Sequence, residues 1–297
     1  MPVTQFNEFS LGDLKSEQVK KIQSFLNISD QATIFHTPIW NIILSESFFK
    51  KNEKYKFILA EKDDKILGIY PFMLKKRFSF LKYNYSLPGK YDTPYGGPIY
   101  NSDKAILLGL IKKANTGLLT NLRIKTLPGD KIDDFPDIFD KECAETSVIN
   151  LEKSEEQIWN EFNRNTKRNI KKADANKLKI FDLETYDSEN VDIYYNFIRS
   201  TLGDKSVKIN PKEFYHKVIK YLLPKKLARF VFVQHNNQFI GGAIYLIFKD
   251  TVYFWHVGVL REYMNLAPNF HLVWDMIRWS KKKGYRKFDL VCMDREK

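Results

Sequence analysis

Two stretches of this chain share one pattern of apolar and polar positions. Residues 56–72 run through Phe57-Ile58-Leu59-Ala60, turn at Asp63-Asp64 and resume as an apolar run from Gly68. Shifted without a gap so that Lys56 falls on Arg229 (229 − 56 = 173), residues 229–245 repeat it, with Asn236-Asn237 at the turn and Gly241 opening the second run. Two apolar runs joined by two polar residues predict a β-hairpin. The surroundings repeat as well. After the first hairpin come a predicted strand over 78–85, a loop over 88–98, a helix over 105–114 and a strand over 122–127. After the second come a strand over 251–260, a loop over 261–268, a helix over 270–282 with helical spacing of its apolar residues, and a strand over 286–292. Helical segments precede both hairpins, at 39–49 in one half and at 191–202 and 211–223 in the other. The order helix, hairpin, strand, loop, helix, strand thus appears twice, predicting an α/β protein of two similar domains, residues 1–150 and 151–297.

Composition narrows the class. Of 297 residues, 43% are hydrophobic and 15% aromatic, enough for two cores and far from a disordered, collagen-like or disulfide-stapled chain. Lys and Arg number 48 against 36 Asp and Glu, a net charge of +12. A field of that sign favours nucleic acid, a phosphorylated substrate or an anionic membrane surface, or simply reflects a solvated, Lys-rich enzyme surface. Cys143 and Cys292 stand alone, without metal-ligand spacing, so no metal is expected and a reduced compartment fits best. No signal-like N-terminus and no apolar run near 18 residues occurs, so a cytoplasmic protein with no transmembrane segment is expected.

Four strings then stand out in order: Phe35-His-Thr-Pro-Ile-Trp40; Pro94-Tyr-Gly-Gly-Pro98; Asn163-Arg-Asn-Thr-Lys-Arg-Asn-Ile-Lys-Lys-Ala173; and Arg261 with Pro268-Asn269, Leu272-Val-Trp274 and Gly284-Tyr-Arg-Lys-Phe-Asp289. Together they resemble the FemABX-type peptidoglycan aminoacyltransferases, across nearly the whole chain. The resemblance implies two tandem GNAT-like domains, each a mixed sheet that splays beside a helix N-terminus. It implies transfer of an amino acid from aminoacyl-tRNA to an amine on a nucleotide- or lipid-linked cell-envelope precursor, with no further cofactor. It also implies a closing hairpin after the Phe-Asp strand, so that either this sequence is cut short there or the second domain lacks part of its donor site. A CoA-dependent GNAT acting on an envelope sugar or polyamine is the enzyme alternative. A non-catalytic basic pair of domains binding RNA or glycan is the other.

Candidate site residues follow from both readings. A CoA-using GNAT holds pyrophosphate on a glycine-rich loop, whereas Arg261-Glu-Tyr-Met-Asn-Leu266 has no glycine, which disfavours CoA. Ile158, Phe162, Thr166, Ile170 and Ala173 share one helical face and leave Arg164 and Arg168 on a cationic one, a phosphate clamp or a solvated surface. His256, among the aromatics of the strand bordering the splay, is a candidate general base or a core residue, and Asp289 would orient it or cap the sheet edge. By resemblance, Tyr95, Gly96 and Gly97 line a substrate groove unless the glycines merely serve a turn. Asp103 is a shifted counterpart of a family acid, and Arg261 and Asn269 are substrate-binding.

Overall fold

The computed structural model describes residues 3–291 apart from 49, 77–80, 87–92, 116–118, 125, 127–134, 136–145 and 204–208, and the side chains of 119 and 120. Both cysteines and residues 88–92 of the loop expected over 88–98 therefore lie outside the described residues. The chain divides into two compact units, residues 1–145 and 146–297.

In the first unit, strand β1 (Gln5–Ser10), helices α1 (Ser16–Ile28) and α2 (Pro38–Ser47), the hairpin β2 (Glu53–Lys62) and β3 (Lys65–Lys76), β4 (Leu81–Tyr85), β5 (Ile99–Tyr100), α3 (Lys104–Ala114) and β6 (Leu119–Arg123) follow in order. The sheet order is β1-β2-β3-β4-β6, with β5 also pairing β3. All pairs are antiparallel except β4 with β6. Ile58, Ala60, Tyr70 and Phe72 pack under Ile106, Leu110 and Ala114 of α3.

The second unit contains β7 (Val148–Asn150), α4 (Glu155–Glu161), α5 (Arg164–Ala175), β8 (Lys179–Asp182), α6 (Ser188–Leu202), α7 (Lys212–Leu222), the hairpin β9 (Ala228–His235) and β10 (Gln238–Phe248), β11 (Thr251–Val259), α8 (Pro268–Lys282) and β12 (Lys287–Asp289). Its sheet order is β7-β12-β11-β10-β9-β8, again with one parallel pair, β11 with β12. The expected boundary at 150 moves back because β7 pairs antiparallel with β12 and so belongs to the second sheet.

The repeat extends to backbone detail. Asp63 and Asp64 have φ of 49° and 60°, and Asn236 and Asn237 have 47° and 62°, so both hairpins close on left-handed pairs of the type I′ kind that suits strand twist. In each hairpin the register slips by one residue, at Leu67 between the Ala60–Gly68 and Glu61–Ile66 pairs, and at Ile240 between Val233–Gly241 and Gln234–Phe239. Leu67 and Ile240 are themselves 173 residues apart.

Both faces of the second sheet are covered, which is why β9 reads as a continuous apolar run rather than an alternating one. Val231, Val233, Tyr245, Ile247 and Phe288 face α4, α5 and α8, joining Ile158, Ile170, Ala173 and Ile277 in one core. Phe230 and Phe232 face the other way, onto Tyr194 and Phe197 of α6. The single helix expected over 158–173 is instead two. Asn163 breaks it, its side chain accepting from the Thr166 N–H at 2.8 Å as the cap of α5. No described helix is long and apolar enough to cross a membrane.

Candidate active site

The second sheet opens along β11. Its parallel partner β12 pairs with Thr251, Val252 and Tyr253, and among the described residues no strand pairs the rest of β11 on that side, up to Val259. Just past that point β11 carries a bulge. Ile244 pairs with His256 and Tyr245 with Phe254, leaving Trp255 as the extra residue. A bulge re-aims side chains, and here it turns Trp255 and His256 together toward α6 and α7. Trp255 meets Phe214 and Tyr215, and His256 meets Tyr194 and Tyr215.

His256 is held from both sides. Its Nδ1 lies 3.1 Å from the Tyr194 hydroxyl and its Nε2 3.1 Å from the Tyr215 hydroxyl. Both tyrosines are buried. A neutral imidazole offers one donor and one acceptor, and two hydroxyls satisfy both. Of the two readings of Asp289, orienting this ring or capping the sheet edge, its bonds fit the second. Its carboxylate accepts from Thr146 Oγ1 at 2.9 Å and from the Val291 N–H at 2.8 Å, tying the end of β12 to the start of the unit. The residues that position His256 are Tyr194 and Tyr215, and Tyr194 comes to the strand on α6 because Gly258 lets that helix approach. A Cβ on Gly258 would sit 2.7 Å from the Ile198 nitrogen.

Beyond β11 the segment Arg261–Leu266 winds as a 3-10 helix and Ala267, at φ 60°, turns the chain into α8. Arg261 donates its N–H to Ser200 Oγ at 3.0 Å, and its guanidinium lies over Gly203 at the C-terminal end of α6. A cation is favourable there beside the helix's carbonyl end. Asn269 is the second residue of α8, and its Oδ1 is buried without a hydrogen-bond partner among the described residues. Arg164 and Arg168 are exposed on α5 and make no ion pair among the described residues. Arg168 donates to Asn165 Oδ1 at 2.7 Å, and neighbouring Lys167 to the Asn160 carbonyl at 3.0 Å.

In the first unit the groove expected at Tyr95, Gly96 and Gly97 is filled. Tyr95 is 3% exposed and both glycines are buried. Phe35 packs edge-on against Trp40 and Tyr95, and Trp40 Nε1 donates to Thr93 Oγ1 at 3.0 Å. The aromatic motif at 35–40 and the glycine loop are thus one packed assembly. Gly97, at φ 86°, is there for the turn. Asp103 caps α3, accepting from the Ala105 N–H at 2.8 Å.

His36 lies inside that assembly, fully buried. Burial, partly countered by the Gly96 and Thr33 backbone, pushes its pKa down to about 4. An unfolded imidazole takes its proton near pH 6.5. Between those values the unfolded chain holds more protons, so stability falls as pH falls through that window and the loss is complete below the folded value. Urea unfolding at pH 7 and pH 4.5 should show His36→Asn losing on the order of 2–3 kcal/mol less than the wild-type chain between the two conditions. Equal acid losses in both would contradict this account.

Residues 160–296 match a family model described as an acetyltransferase (GNAT) domain. Across the whole chain the fold is similar to a crystal structure of FemX, at 11% identity and a TM-score of 0.72, covering 98% of this chain and 90% of that one. It is also similar to L-PGS from Bacillus licheniformis, at 11% identity and a TM-score of 0.54, covering 94% and 78%. No curated protein matches the sequence.

Proposed function

We propose, for a chain with the tandem GNAT-like fold found in FemX, that it is an N-acyltransferase moving an aminoacyl group from aminoacyl-tRNA to an amine of a peptidoglycan or other cell-envelope precursor. A tRNA donor also implies the cytoplasm. The observation that carries the choice of donor is the segment Arg261–Leu266. A CoA pyrophosphate needs backbone N–H groups pointing outward, with glycines that let it approach. Here the Tyr263 N–H turns inward onto the Leu260 carbonyl at 3.0 Å, the Ala267 N–H onto that of Met264 at 3.1 Å, and every position carries a side chain.

In this reading the acceptor amine attacks the ester carbonyl of the charged tRNA. The C–N bond forms, the C–O bond to the terminal ribose breaks, the ribose oxygen takes a proton, and the amine gives one up. The N-terminal end of α8 favours the oxyanion of the tetrahedral intermediate. Asn269 Oδ1, buried beside it, is an acceptor for the incoming N–H. His256 receives the amine's proton by exchanging one tyrosine partner for the substrate. Arg164 and Arg168 clamp phosphates of the donor.

A melting and binding assay tests the choice. Acetyl-CoA at millimolar concentration should leave the melting temperature unchanged, whereas a ligand at about 100 times its dissociation constant adds roughly 2.7 kcal/mol. Charged tRNA should bind with strong salt dependence, and Arg164→Ala with Arg168→Ala should weaken it by roughly 1.5–3 kcal/mol per lost charge-assisted contact. Stabilisation by acetyl-CoA without tRNA binding would hand the function to the CoA-dependent alternative.

A further inference from the structure

At the end of the second sheet away from Val259, several connections of the chain lie side by side. Phe248 pairs with Thr251, Thr251 with Lys287 and Lys287 with Asn150, which brings the β10–β11 turn, the entry to β12 and the exit from β7 together. Ala228, opening β9, pairs with Leu246 next to them, and α8 ends at Lys282 to lead into β12. These connections carry Lys225, Lys226, Lys249, Lys282, Lys283 and Lys287, all exposed. All of these but Lys249 make no ion pair among the described residues. The nearby carboxylates are engaged elsewhere. Glu152 pairs with Arg286 at 2.9 Å, and Asp250 accepts from the Thr251 hydroxyl at 3.1 Å. Glu155 and Glu156 sit in the first turn of α4, where the helix dipole favours them. A helix C-terminus explains Lys282 and Lys283 in the same way. It does not explain the other four lysines, which stand on turns and at the start of a strand. Tyr285, half-buried among them, stacks on Trp279 with ring centroids 5.7 Å apart.

We propose that this end of the second unit docks on an anionic lipid bilayer. An ammonium is a compact point charge that suits a diffuse field, whereas gripping single phosphates favours the planar fork of arginine. Six lysines spread over separate turns match the first case. An anionic leaflet supplies such a field, and each lysine within a Debye length of it strengthens partition about fivefold. Tyrosine beside them suits the headgroup layer. The splayed end of β11 lies nine residues away, roughly 25–30 Å, so contact here leaves the acyl-transfer site of that unit uncovered. Docking narrows the acceptor proposed above to a lipid-linked one, but the docking itself does not depend on the acyl-transfer reading.

Cosedimentation of the full chain with vesicles tests this. Phosphatidylcholine vesicles containing about 30% phosphatidylglycerol should pellet the chain at about 0.1 M salt, pure phosphatidylcholine should not, and about 0.5 M salt should release it. Lys282→Gln with Lys283→Gln should weaken partition roughly 30-fold, and Lys225→Gln with Lys226→Gln by a similar factor. Both pairs are exposed, so the melting temperature should stay where it is. Arg164→Ala with Arg168→Ala, on α5, should change vesicle binding less than about twofold. Equal pelleting on both vesicle types, lysine pairs that bind like the wild-type chain, or an equal loss from the α5 pair would each overturn the proposal. Lysine pairs that weaken binding of a single-stranded RNA oligomer while leaving vesicle binding intact would give the patch to nucleic acid instead. No readout here uses acyl transfer, so docking and transfer stand or fall separately.

Discussion

Arg229→Ala should destabilise the second unit by about 3–4 kcal/mol, more than any change at the two carboxylates it serves. The guanidinium is 7% exposed, yet at the start of β9 it is held on several sides, with the Met276 sulfur 3.1 Å from Nη1 as well. It bonds Asp182 of β8 through Nε at 2.6 Å and Nη2 at 2.9 Å, Asp275 of α8 through Nη1 at 2.9 Å, and lies 4.7 Å from the centre of the Trp279 ring. These bonds hold its proton more tightly than usual despite burial. One side chain therefore joins edge strand, hairpin and helix. Asp182 is 45% exposed and Asp275 25%, so either can return to water when the arginine is lost, which keeps the cost short of that for a fully buried pair. Arg229→Lys keeps the charge but cannot form the fork, and should cost about half as much. Urea unfolding followed by tryptophan fluorescence ranks the variants. Asp182→Ala proving more damaging than Arg229→Ala would refute this ordering.

Gly258→Ala is the second large effect. The added methyl would lie 2.7 Å from the Ile198 nitrogen and 2.8 Å from the Phe197 carbonyl carbon, both backbone atoms that no rotamer change can move. Helix α6 must retreat, at about 3 kcal/mol, the upper end of overpacking costs. The retreat also carries Tyr194 away from His256. The ring nitrogen shift of His256 should therefore change in the variant even where the protein remains folded, and an unchanged shift would mean that α6 yields elsewhere. Gly241, whose added methyl would first meet the Gly258 oxygen at 2.8 Å and Val259 Cγ2 at 2.9 Å, sits on the neighbouring strand and offers a comparison.

What the sequence discloses is what local rules govern. The hairpins are legible because a two-residue turn and its flanking runs lie within a dozen positions, and α8 because its apolar spacing is unbroken. The edge strands β1 and β8 are not, since Asn7, Glu8, Lys179 and Asp182 carry no alternation that marks a strand until a neighbour supplies the pairing. The same limit applies to the site. His256 is visible among aromatics, but its partners stand 62 and 41 residues away on two different helices. Tyr95 reads as a groove residue because a Gly-Gly turn looks open, and only the aromatic packing with Phe35 closes it.

The pairing of β7 with β12 joins the first described strand of the second unit to the last described one. On a ribosome the chain emerges in order, so the β9–β10 hairpin can close while Val148–Asn150 still waits for Lys287–Asp289. The Leu151 N–H bonds the Arg286 carbonyl, and Lys281 Nζ reaches the Leu151 carbonyl at 2.8 Å, so the same late arrival also completes the seat of α8. Vectorial synthesis therefore leaves the second sheet without its β7 pairing, and α8 without its full seat, until Lys287–Asp289 has been made.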